Sequence, residues 1–474
     1  MKLKLSKDFF ASSLKAHSWL GLFVGALMYL ICLSGTIAVY YEELERWEQP
    51  SAPEYFDYDI DAIDAEFNRV INDPEINVTP HMYVTLPTEA NPRVAIITEN
   101  EGWFLDKAGN RVSSSAHPWT DLLTDLHLYL HLPKTWGMIF VSILGVLLLG
   151  LIISGLASHR TIFKDAFKLR VKGSYQLEQT DIHNRLSVWA APFHIMISIT
   201  GAFFGLSALV LYFYSAAFSD QSVEELTSTI YGSEPHLEQQ VGHVNIKKAF
   251  EQMPELAPGT NPLFAIVHDT NTPKQFIQIF SQYPERLIYS DNFVFDASGN
   301  FISKDGFSDG EIGRQALYSV YRLHFGHFGG WWTKVIYFIL GLALTVVSVS
   351  GINVWLSKRK HKDAINDAWS GFVWGTPCAL LVAAISSFAI NYISDWIFWF
   401  ALFCCCVYSV KTKNVGRATH MLKVVGLILS LVLVIIYGLV HKHAALESIS
   451  VIVNGLLLLV MIFLTAASLK KITG

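Results

Sequence analysis

The sequence predicts a polytopic α-helical membrane protein with about eight transmembrane helices and two small α+β modules outside the membrane. Three observations predict this class: an apolar composition, eight long apolar runs and two long acidic segments between runs. Of the 474 residues, 52% are hydrophobic and only 16% are charged, which is too apolar for a soluble protein of this length. We therefore expect the lipid bilayer to surround most of the chain.

Each apolar run is about long enough to cross roughly 30 Å of hydrocarbon as a helix. The first run follows a basic start, as in a signal peptide, but it is too long and lacks a small-residue cleavage site. We expect it to remain as an anchor. The runs lie near residues 18–40, 136–158, 188–214, 332–356, 370–390, 394–410, 420–440 and 447–468.

Lysine and arginine beside the spans predict the orientation, because such residues are retained on the cytoplasmic side. The acidic segments 41–135 and 215–331 fall on the opposite side. This predicts a bacterial inner-membrane protein with cytoplasmic N- and C-termini and two periplasmic modules. If the spans alternate, one side holds Lys2, Lys4, Lys7, Lys15, Arg160, Lys164, Lys168, Arg170, Lys172, Lys358, Arg359, Lys360, Lys362, Lys411, Lys413, Arg417, Lys470 and Lys471.

The predicted organisation has six parts. Each periplasmic module is expected to contain one helix, near 60–72 or 244–253, followed by strands that meet at an Asp-x-x-Gly-Asn turn. The parts are the N-terminal tail and first span (1–40), periplasmic module 1 (41–135), spans two and three with their cytoplasmic loop (136–214), periplasmic module 2 (215–331), span four (332–358) and a C-terminal four-helix membrane extension (359–474).

The first 360 residues contain an internal duplication. Gly35 follows His17 by eighteen residues, and Gly201 follows His183 at the same spacing. The later spans and the turns of the modules match as well. Each copy contains two spans, so both copies enter the membrane with the same polarity, which predicts a parallel repeat. The further matches are Ile143-Leu144-Gly145 with Ile339-Leu340-Gly341, Ser154-Gly155 with Ser350-Gly351, and Asp106–Asn110 with Asp296–Asn300.

Four histidines occupy equivalent places in the two copies. His17 and His183 lie at the cytoplasmic starts of helices, and His127 and His324, each preceded by leucine, lie just before the periplasmic start of a span. Neutral imidazole is a strong axial ligand for haem iron, and bis-histidine ligation needs two facing imidazoles. The pattern predicts two haems b, one held by His17 and His183 and the other by His127 and His324.

Four glycines lie at the depths of these histidines. In an up-down arrangement Gly155 and Gly351 come level with the cytoplasmic pair, and Gly35 and Gly201 come level with the periplasmic pair. A flat macrocycle between helices needs small side chains where the backbones approach it. We therefore expect these glycines to pack against haem, the alternative being ordinary contacts between membrane helices.

Three other histidines are alternative ligands. His131 and His327 also match between the copies, each fourteen residues before a glycine, so either histidine of a copy could serve on the periplasmic side. The shared Leu-His context favours His127 and His324. His194 lies deeper in its span and has no equivalent in the other copy, so we expect a supporting or structural role.

These segments resemble the PepSY-associated transmembrane proteins, a bacterial family often linked to iron uptake that includes inner-membrane ferric-siderophore reductases. The resemblance covers about residues 1–360 and implies haem b, periplasmic modules of PepSY type and reduction of a ferric chelate. The chain departs from the family at Ile182, where leucine is usual, and in the extension 359–474, which minimal four-span members lack. The matching segments are His17–Leu22 with Leu33–Gly35, Leu126-His127 with Gly145, Ile182–Arg185 with Thr200-Gly201, and Leu323–Gly326 with Ser350-Gly351.

Together with the resemblance, these features predict a haem b-containing transmembrane electron-transfer protein that acts as a ferric-siderophore or ferric-iron reductase. The expected partners are a ferric siderophore or other ferric chelate, the lipid bilayer and an external electron donor, either a quinol or a cytoplasmic reductase. The donor must be external because the chain has no Gly-rich dinucleotide fingerprint and its cytoplasmic loops are too short for a flavin or nicotinamide domain. No nucleic-acid partner is expected.

Two other functions are open at this point. The periplasmic modules could bind a peptide or protein without redox chemistry, which predicts a colourless purified protein. An ion or solute transporter could use His194 and the run Cys404-Cys405-Cys406, but few other polar residues would line its path. Consecutive helical positions also point in different directions, which favours packing for the cysteine run.

Overall fold

Two units make up the chain in the computed structural model, which describes residues 6–158, 161–167, 170 and 174–473. We call them the membrane unit and the sheet unit. The basic residues Lys2, Lys4, Arg160, Lys168 and Lys172, used above to predict the orientation, lie outside the described residues. The membrane unit comprises Met1–Pro50, Pro118–Leu206 and Trp331–Gly474, and the sheet unit comprises Ser51–His117 and Ser207–Gly330.

The predicted polytopic helical class is confirmed, since eight helices among the described residues are long and apolar enough to cross a membrane. The shortest is the helix at Asp395–Thr412, with 18 residues. A 3₁₀ turn at Lys442–Leu446 joins the last two spans. The spans are α1 (Lys7–Ala38), α5 (Lys134–Ser158), α8 (Ala191–Phe218), α12 (Gly330–Lys358), α13 (Ala364–Ile390), α14 (Asp395–Thr412), α15 (Val415–His441) and α16 (Ser448–Thr473).

Eight shorter helices connect the spans or belong to the sheet unit. Two of them carry candidate histidines, His127 on α4 and His183 on α7, so these residues lie on helices separate from the spans that follow. The shorter helices are α2 (Tyr41–Glu48), α3 (Ile60–Asn72), α4 (Pro118–Tyr129), α6 (Ile162–Asp165), α7 (Tyr175–Trp189), α9 (Val223–Tyr231), α10 (Ile246–Leu256) and α11 (Ile312–Phe325).

Local chemistry explains these helix ends. Helix α4 stops because Leu130 and His131 adopt positive φ, at 53° and 56°, and Pro133 follows. Helix α7 stops at Trp189, three residues before Pro192, whose ring is tolerated only in the first turn of a helix. Helix α1 starts at Lys7 rather than near His17, because Ser6 caps it by accepting a hydrogen bond from the Phe9 N–H at 3.1 Å. His17 therefore lies inside a helix and not at its start.

The strands of the sheet unit form one antiparallel sheet of eight strands, whereas the sequence analysis expects two separate modules. The strands of the first module run outward on one side and those of the second on the other. The junction is the pairing of β1 with β5, in which Val84 lies opposite Ala265. The order is β4-β3-β2-β1-β5-β6-β7-β8, with β1 at Met82–Thr85, β2 at Ala95–Ile97, β3 at Gly102–Leu105, β4 at Arg111–Ser114, β5 at Asn261–His268, β6 at Phe276–Gln282, β7 at Asp291–Asp296 and β8 at Phe301–Asp305.

Helices α3 and α10 share one apolar core with this sheet. Phe67 of α3 and Ile246 of α10 are fully buried in it, together with Val84 of β1 and Ala265 of β5. Asn68 joins the halves, since its side chain donates to the Val244 carbonyl and accepts from the Val244 N–H, both at 2.9 Å. The shared core explains why the two halves form a single unit.

The two Asp-x-x-Gly-Asn turns have the same local structure. In each turn the aspartate side chain accepts a hydrogen bond from the asparagine N–H, at 2.9 Å for Asp106 and 2.8 Å for Asp296. Gly109 and Gly299 adopt φ of 81° and 76°, which glycine reaches without strain. These turns connect β3 to β4 and β7 to β8.

The extension packs its helices closely through glycines. A Cβ at Gly375 would lie 2.5 Å from the Cβ of Cys405, and one at Gly371 would lie 2.7 Å from the Cα of Cys406. The backbones of α13 and α14 therefore approach each other where the cysteine run lies. This contact assigns Cys405 and Cys406 a packing role between helices.

Candidate functional site

The rings of His17 and His183 face each other inside the membrane unit. Their centroids are 6.1 Å apart and their planes are inclined at 71°. Two metal–imidazole bonds of about 2 Å each, plus roughly 1 Å from each ring nitrogen to its ring centre, give about 6 Å. The spacing of these two rings therefore fits bis-histidine ligation of one iron.

Each of the two rings is held by a backbone carbonyl of another helix, α5 for His17 and α12 for His183. The Nδ1 of His17 donates to the Leu151 carbonyl at 3.0 Å, and the Nδ1 of His183 donates to the Val347 carbonyl at 3.1 Å. The hydroxyls of Ser154 and Ser350 lie 3.3 Å from the same nitrogens. A carbonyl can only accept, so each neutral imidazole carries its proton on Nδ1 and its lone pair on Nε2.

Glycines make room for both rings. A Cβ at Gly155 would lie 3.0 Å from Cε1 of His17, and one at Gly351 would lie 3.2 Å from Cε1 of His183. These two glycines therefore lie against the imidazole rings. Gly145, in the same span as Gly155, does not lie against a histidine. A Cβ there would lie 3.0 Å from the backbone of Ala202, which is an ordinary helix–helix contact.

Helix α7, which carries His183, is tied to the segment before it by arginines. The carboxylate of Asp181 is buried and accepts hydrogen bonds from the backbone N–H of Arg170 at 2.9 Å and from its Nε at 2.8 Å. Arg185 donates to the Ala166 carbonyl at 3.2 Å and to the Phe167 carbonyl at 3.3 Å. These bonds fix the helix that presents the imidazole of His183.

His127 repeats, near the other end of α1, the contacts made by His17 and His183. Its Nδ1 donates to the Ile31 carbonyl at 3.0 Å, and a Cβ at Gly35 would lie only 2.4 Å from its Cε1. In all three cases the carbonyl belongs to the residue four positions before the glycine. Burial lowers the pKa of His127 and lowers the pKa of His183 to about 4, so both imidazoles are neutral at pH 7.

Glu48 holds the start of the helix that carries His127. Its buried carboxylate accepts hydrogen bonds from the N–H groups of Trp119 at 2.9 Å and of Thr120 at 2.6 Å. These are free donors of the first turn of α4, where a negative charge is also favourable. Glu48 therefore orients α4 although it is far from His127 in sequence.

His131 faces away from α1 and towards the extension. Its Nε2 donates to the Leu122 carbonyl at 2.8 Å, and its ring contacts the rings of Phe398 and Trp399 edge-on. The side chain is only 1% exposed. This orientation favours His127 over His131 as the ligand.

His324 and His327 belong to the sheet unit, at the end of α11 and just beyond it. The ring of Phe325 contacts both, with centroids 5.7 Å from each. Gly201 belongs to the membrane unit, where its carbonyl accepts a hydrogen bond from Ser142 at 3.2 Å. The pairing of His324 with His127, and the role of Gly201, stay predictions.

His194 is buried in the membrane unit, with 1% exposure. Its ring hydrogen bonds to the Leu340 carbonyl, and its Nε2 has no hydrogen-bond partner within the described parts of the chain. No glycine lies four residues after Leu340, so the pattern of the other histidines is incomplete here. This supports the expected structural role.

Part of the sequence matches a known protein family. The sequence model of the family described as the PepSY-associated TM region matches residues 14–358. The chain belongs to this family. The match contains every candidate histidine and glycine named above and ends where the extension begins.

A relative of this family member is an uncharacterised protein of Pseudomonas aeruginosa. The two are 23% identical over 256 residues, which is 51% of this chain and 64% of the relative. The chain thus spans less than two thirds of the length of that relative.

The residues at the His17–His183 pair fit the axial ligation that haem requires, and haem binding stays a prediction. In the part of the chain that the structure describes, no three side chains among His, Cys, Asp and Glu are grouped to hold a metal. A haem needs only axial ligands from the protein, because its macrocycle supplies the others. The paired rings of His17 and His183 satisfy that requirement.

Sequence reasoning missed the groups that orient the histidines. The carbonyls of Ile31, Leu151 and Val347 carry no side-chain signal, although each lies one helical turn before a glycine that the spacing had already marked. Glu48 gave no signal either, since an acidic residue in a periplasmic segment is expected. Only the glycine positions could have indicated where the rings rest.

Proposed function

We propose that this family member is a haem b-containing transmembrane electron-transfer protein that reduces a ferric chelate, such as a ferric siderophore, at the periplasmic face of the bacterial inner membrane. The observation that carries the proposal is the His17–His183 pair, with its 6.1 Å ring spacing and its two backbone-anchored Nδ1 atoms. Haem held by such a pair would supply one-electron transfer. The acceptor and the enzyme class are drawn from the family resemblance.

The residues of the chain have distinct parts in this proposal. His17 and His183 hold the haem nearer the cytoplasm, and the Leu151 and Val347 carbonyls keep their Nε2 atoms available. Gly155 and Gly351 let the rings approach the neighbouring spans. His127 and His324 would hold a second haem, which would supply one-electron chemistry near the side where the ferric chelate binds.

The donor is external in this proposal. The sequence has no dinucleotide fingerprint, so a membrane quinol or a cytoplasmic reductase must deliver electrons near His17 and His183. Each ferric ion takes up one electron and becomes ferrous, and the donor is oxidised by the same number of electrons.

We further propose that the first 360 residues are a parallel duplication with PepSY-type periplasmic halves. Support comes from the matched turns at Asp106 and Asp296 and from the matched histidine–glycine contacts. A reporter fused near residue 110 or 300 should then be periplasmic, and one near 170 or 365 cytoplasmic. A cytoplasmic reporter at 110 would reverse the proposed orientation.

Anaerobic reoxidation tests the reaction. Protein reduced with dithionite and freed of excess reductant should be reoxidised by a ferric chelate, with ferrous iron appearing in a ferrozine trap. Both axial positions of each haem are filled, so added carbon monoxide should inhibit little. The variant His127→Ala should keep a reducible cytoplasmic haem but lose reoxidation, whereas His131→Ala should behave like the unmodified protein.

Each outcome decides a part of the proposal. A haem protein that no ferric chelate reoxidises would exclude the proposed acceptor and favour a periplasmic redox protein. A colourless protein would exclude electron transfer and favour the peptide- or protein-binding alternative.

A further inference from the structure

A proline of the extension creates a bond to the family region. Pro377 lies inside α13 and has no N–H, so the carbonyl of Val373, four residues earlier, loses its helical donor. The hydroxyl of Tyr29, in α1, donates to this carbonyl at 2.6 Å. Tyr29 is buried, and its ring also contacts Trp369 and Phe372 of α13. The first span and the extension are therefore joined at a point where α13 needs a donor.

A chain of side-chain hydrogen bonds links α13 to the helix of His183. The indole N–H of Trp369 donates to Oδ1 of Asn353 at 3.0 Å, and Nδ2 of Asn353 donates to Oε1 of Gln179 at 2.9 Å. Gln179 lies four residues before His183, on the same face of α7. Helix α7 thus meets α12 at two successive turns, through His183 and through Gln179, and Trp369 orients the amide of the second contact.

At its other end α13 contacts the helix of His127. The indole N–H of Trp119 donates to the Leu380 carbonyl at 3.0 Å. Trp119 is the residue whose backbone N–H is capped by Glu48, so this end of α4 is held from both sides. His131, just beyond α4, packs on Phe398 and Trp399 of α14.

We infer that the extension positions both histidine sites of the membrane unit. Trp369 of the extension acts on His183 through the contact between Asn353 and Gln179. The extension acts on His127 through its bond with Trp119, which lies at the start of α4. The extension lies outside the family match at 14–358, yet one of its helices bonds to elements of both sites. Trp369 and Trp119 are positioning residues, since each acts on a histidine only through another group, Trp369 through Asn353 and Trp119 through the start of α4. This inference rests on the proposed function only in that haem is the reporter of ring orientation.

Two conservative substitutions and one control test the inference in the full-length purified protein. Trp369→Phe and Trp119→Phe each keep the ring and remove the indole donor. Trp396→Phe is the matched control, because Trp396 also belongs to the extension but is 80% exposed. The readouts are haem content, the reduction midpoint of each haem, its low-spin electron paramagnetic resonance signal and the thermal unfolding midpoint.

We expect Trp369→Phe to shift the reduction midpoint and the electron paramagnetic resonance signal of the haem assigned to His17 and His183, with haem content unchanged. Trp119→Phe should shift the signals of the other haem, and Trp396→Phe should shift neither. If Trp369→Phe fails to assemble, Gln179→Met removes the acceptor on α7 and should produce the same selective shift. Signals of all variants identical to those of the unmodified protein would overturn the inference.

Failure of the proposed function has a different appearance. If the unmodified protein contains no haem, the electron-transfer proposal fails, and the thermal midpoints alone test the link between extension and family region. Lower thermal unfolding midpoints for Trp369→Phe and Trp119→Phe, but not for Trp396→Phe, would then support that link. Equal thermal unfolding midpoints for the three variants would contradict it.

Discussion

The histidines at the two ends of α1 are held by the same local geometry but belong to differently built pairs. His17 and His183 both lie in the membrane unit, and each donates through Nδ1 to a carbonyl one turn before a glycine. His127 follows the same rule with Ile31 and Gly35. Its predicted partner, His324, belongs to the sheet unit.

The contacts that orient each histidine ring therefore differ from those that would bring two histidines together as a pair. In the membrane unit, the rings of His17, His127 and His183 are each oriented by one backbone carbonyl and rest against one glycine. His17 and His183 lie in one unit, whereas the two histidines predicted to form the other pair are divided between the two units. We therefore expect the cytoplasmic pair to tolerate change better.

The largest contrast is expected from adding one methyl group at each of two glycines that lie against histidine rings. In Gly35→Ala the new Cβ would lie 2.4 Å from Cε1 of His127, which is too close for any real contact, whereas in Gly351→Ala it would lie 3.2 Å from Cε1 of His183. The ring of His127 is fixed by the Ile31 carbonyl and has to give up that bond. We expect Gly35→Ala to lose the haem of its site and Gly351→Ala to retain both haems, as measured by the pyridine haemochrome assay.

Gly438→Ala is the matched control for this comparison, because no atom lies within 4 Å of a Cβ at Gly438 in α15. Its haem content should equal that of the unmodified protein. Equal haem loss in Gly35→Ala and Gly351→Ala would show that the two sites are not distinguished by ring clearance.

A second contrast concerns an ion cluster in the membrane unit. The Nζ of Lys334, in α12, is buried and lies 2.9 Å from Oε2 of Glu42 and 2.8 Å from Oε1 of Glu43, both in α2. Removing the ammonium leaves the buried carboxylate of Glu43 and the partly buried carboxylate of Glu42 without that partner, and breaking a buried ion pair in this way destabilises proteins by about 3–5 kcal/mol. Lys334→Met should lower the free energy of unfolding in detergent by an amount of that order.

Lys362→Met serves as its control, since Lys362 is exposed at the start of the extension. Surface substitutions of this kind change stability by about 0.5 kcal/mol or less. Should both variants unfold at the same denaturant concentration, the ion cluster would contribute nothing to the link between α2 and α12.

Much of the fold could be predicted from residue patterns. The helix expected at 60–72 is observed at Ile60–Asn72, because its apolar residues recur at helical spacing and Asp59 caps it. The depth argument that paired Gly155 with His17 and Gly35 with His127 relied only on spans of known length, and the structure places those residues side by side. The family, suggested by short repeated motifs, is confirmed by the match at 14–358.

The remainder depended on contacts that a pattern does not encode. An alternation of apolar and polar residues predicts that a strand exists but not which strand it pairs with. The pairing of β1 with β5 joins segments far apart in sequence, so two separate modules were expected where the structure has one sheet. The bond of Tyr29 to the carbonyl freed by Pro377 could not be anticipated, because a proline in a span does not reveal which neighbour donates to it. Backbone acceptors for the histidines escaped notice for the same reason.

The sheet unit should lose stability in acid. Burial, together with the neighbouring His81, lowers the pKa of His268 in the sheet unit to about 4, against its hydrogen bond to Gln278. The unfolded chain binds a proton near pH 6.5 and the folded unit does not, so stability falls as pH drops from about 6.5 to about 4. The loss is at most about 3 kcal/mol.

This dependence can be measured between pH 7.5 and 4.5 by using hydrogen exchange to monitor the thermal unfolding of the sheet unit. His268→Gln removes the titrating group and should flatten the profile of the sheet unit while leaving that of the membrane unit unchanged. A profile equally steep in His268→Gln would assign the acid sensitivity to another group.

The visible spectrum of the detergent-purified protein, oxidised and dithionite-reduced, tests the central claim most directly. We predict six-coordinate low-spin b-type haem, released by acid–acetone because nothing attaches it covalently. His17→Ala and His183→Ala should each perturb the same haem, and His131→Ala should perturb neither. A colourless protein, or His17→Ala and His183→Ala variants that both retain the full spectrum of the unmodified protein, would contradict the assignment of His17 and His183 as a haem-binding pair.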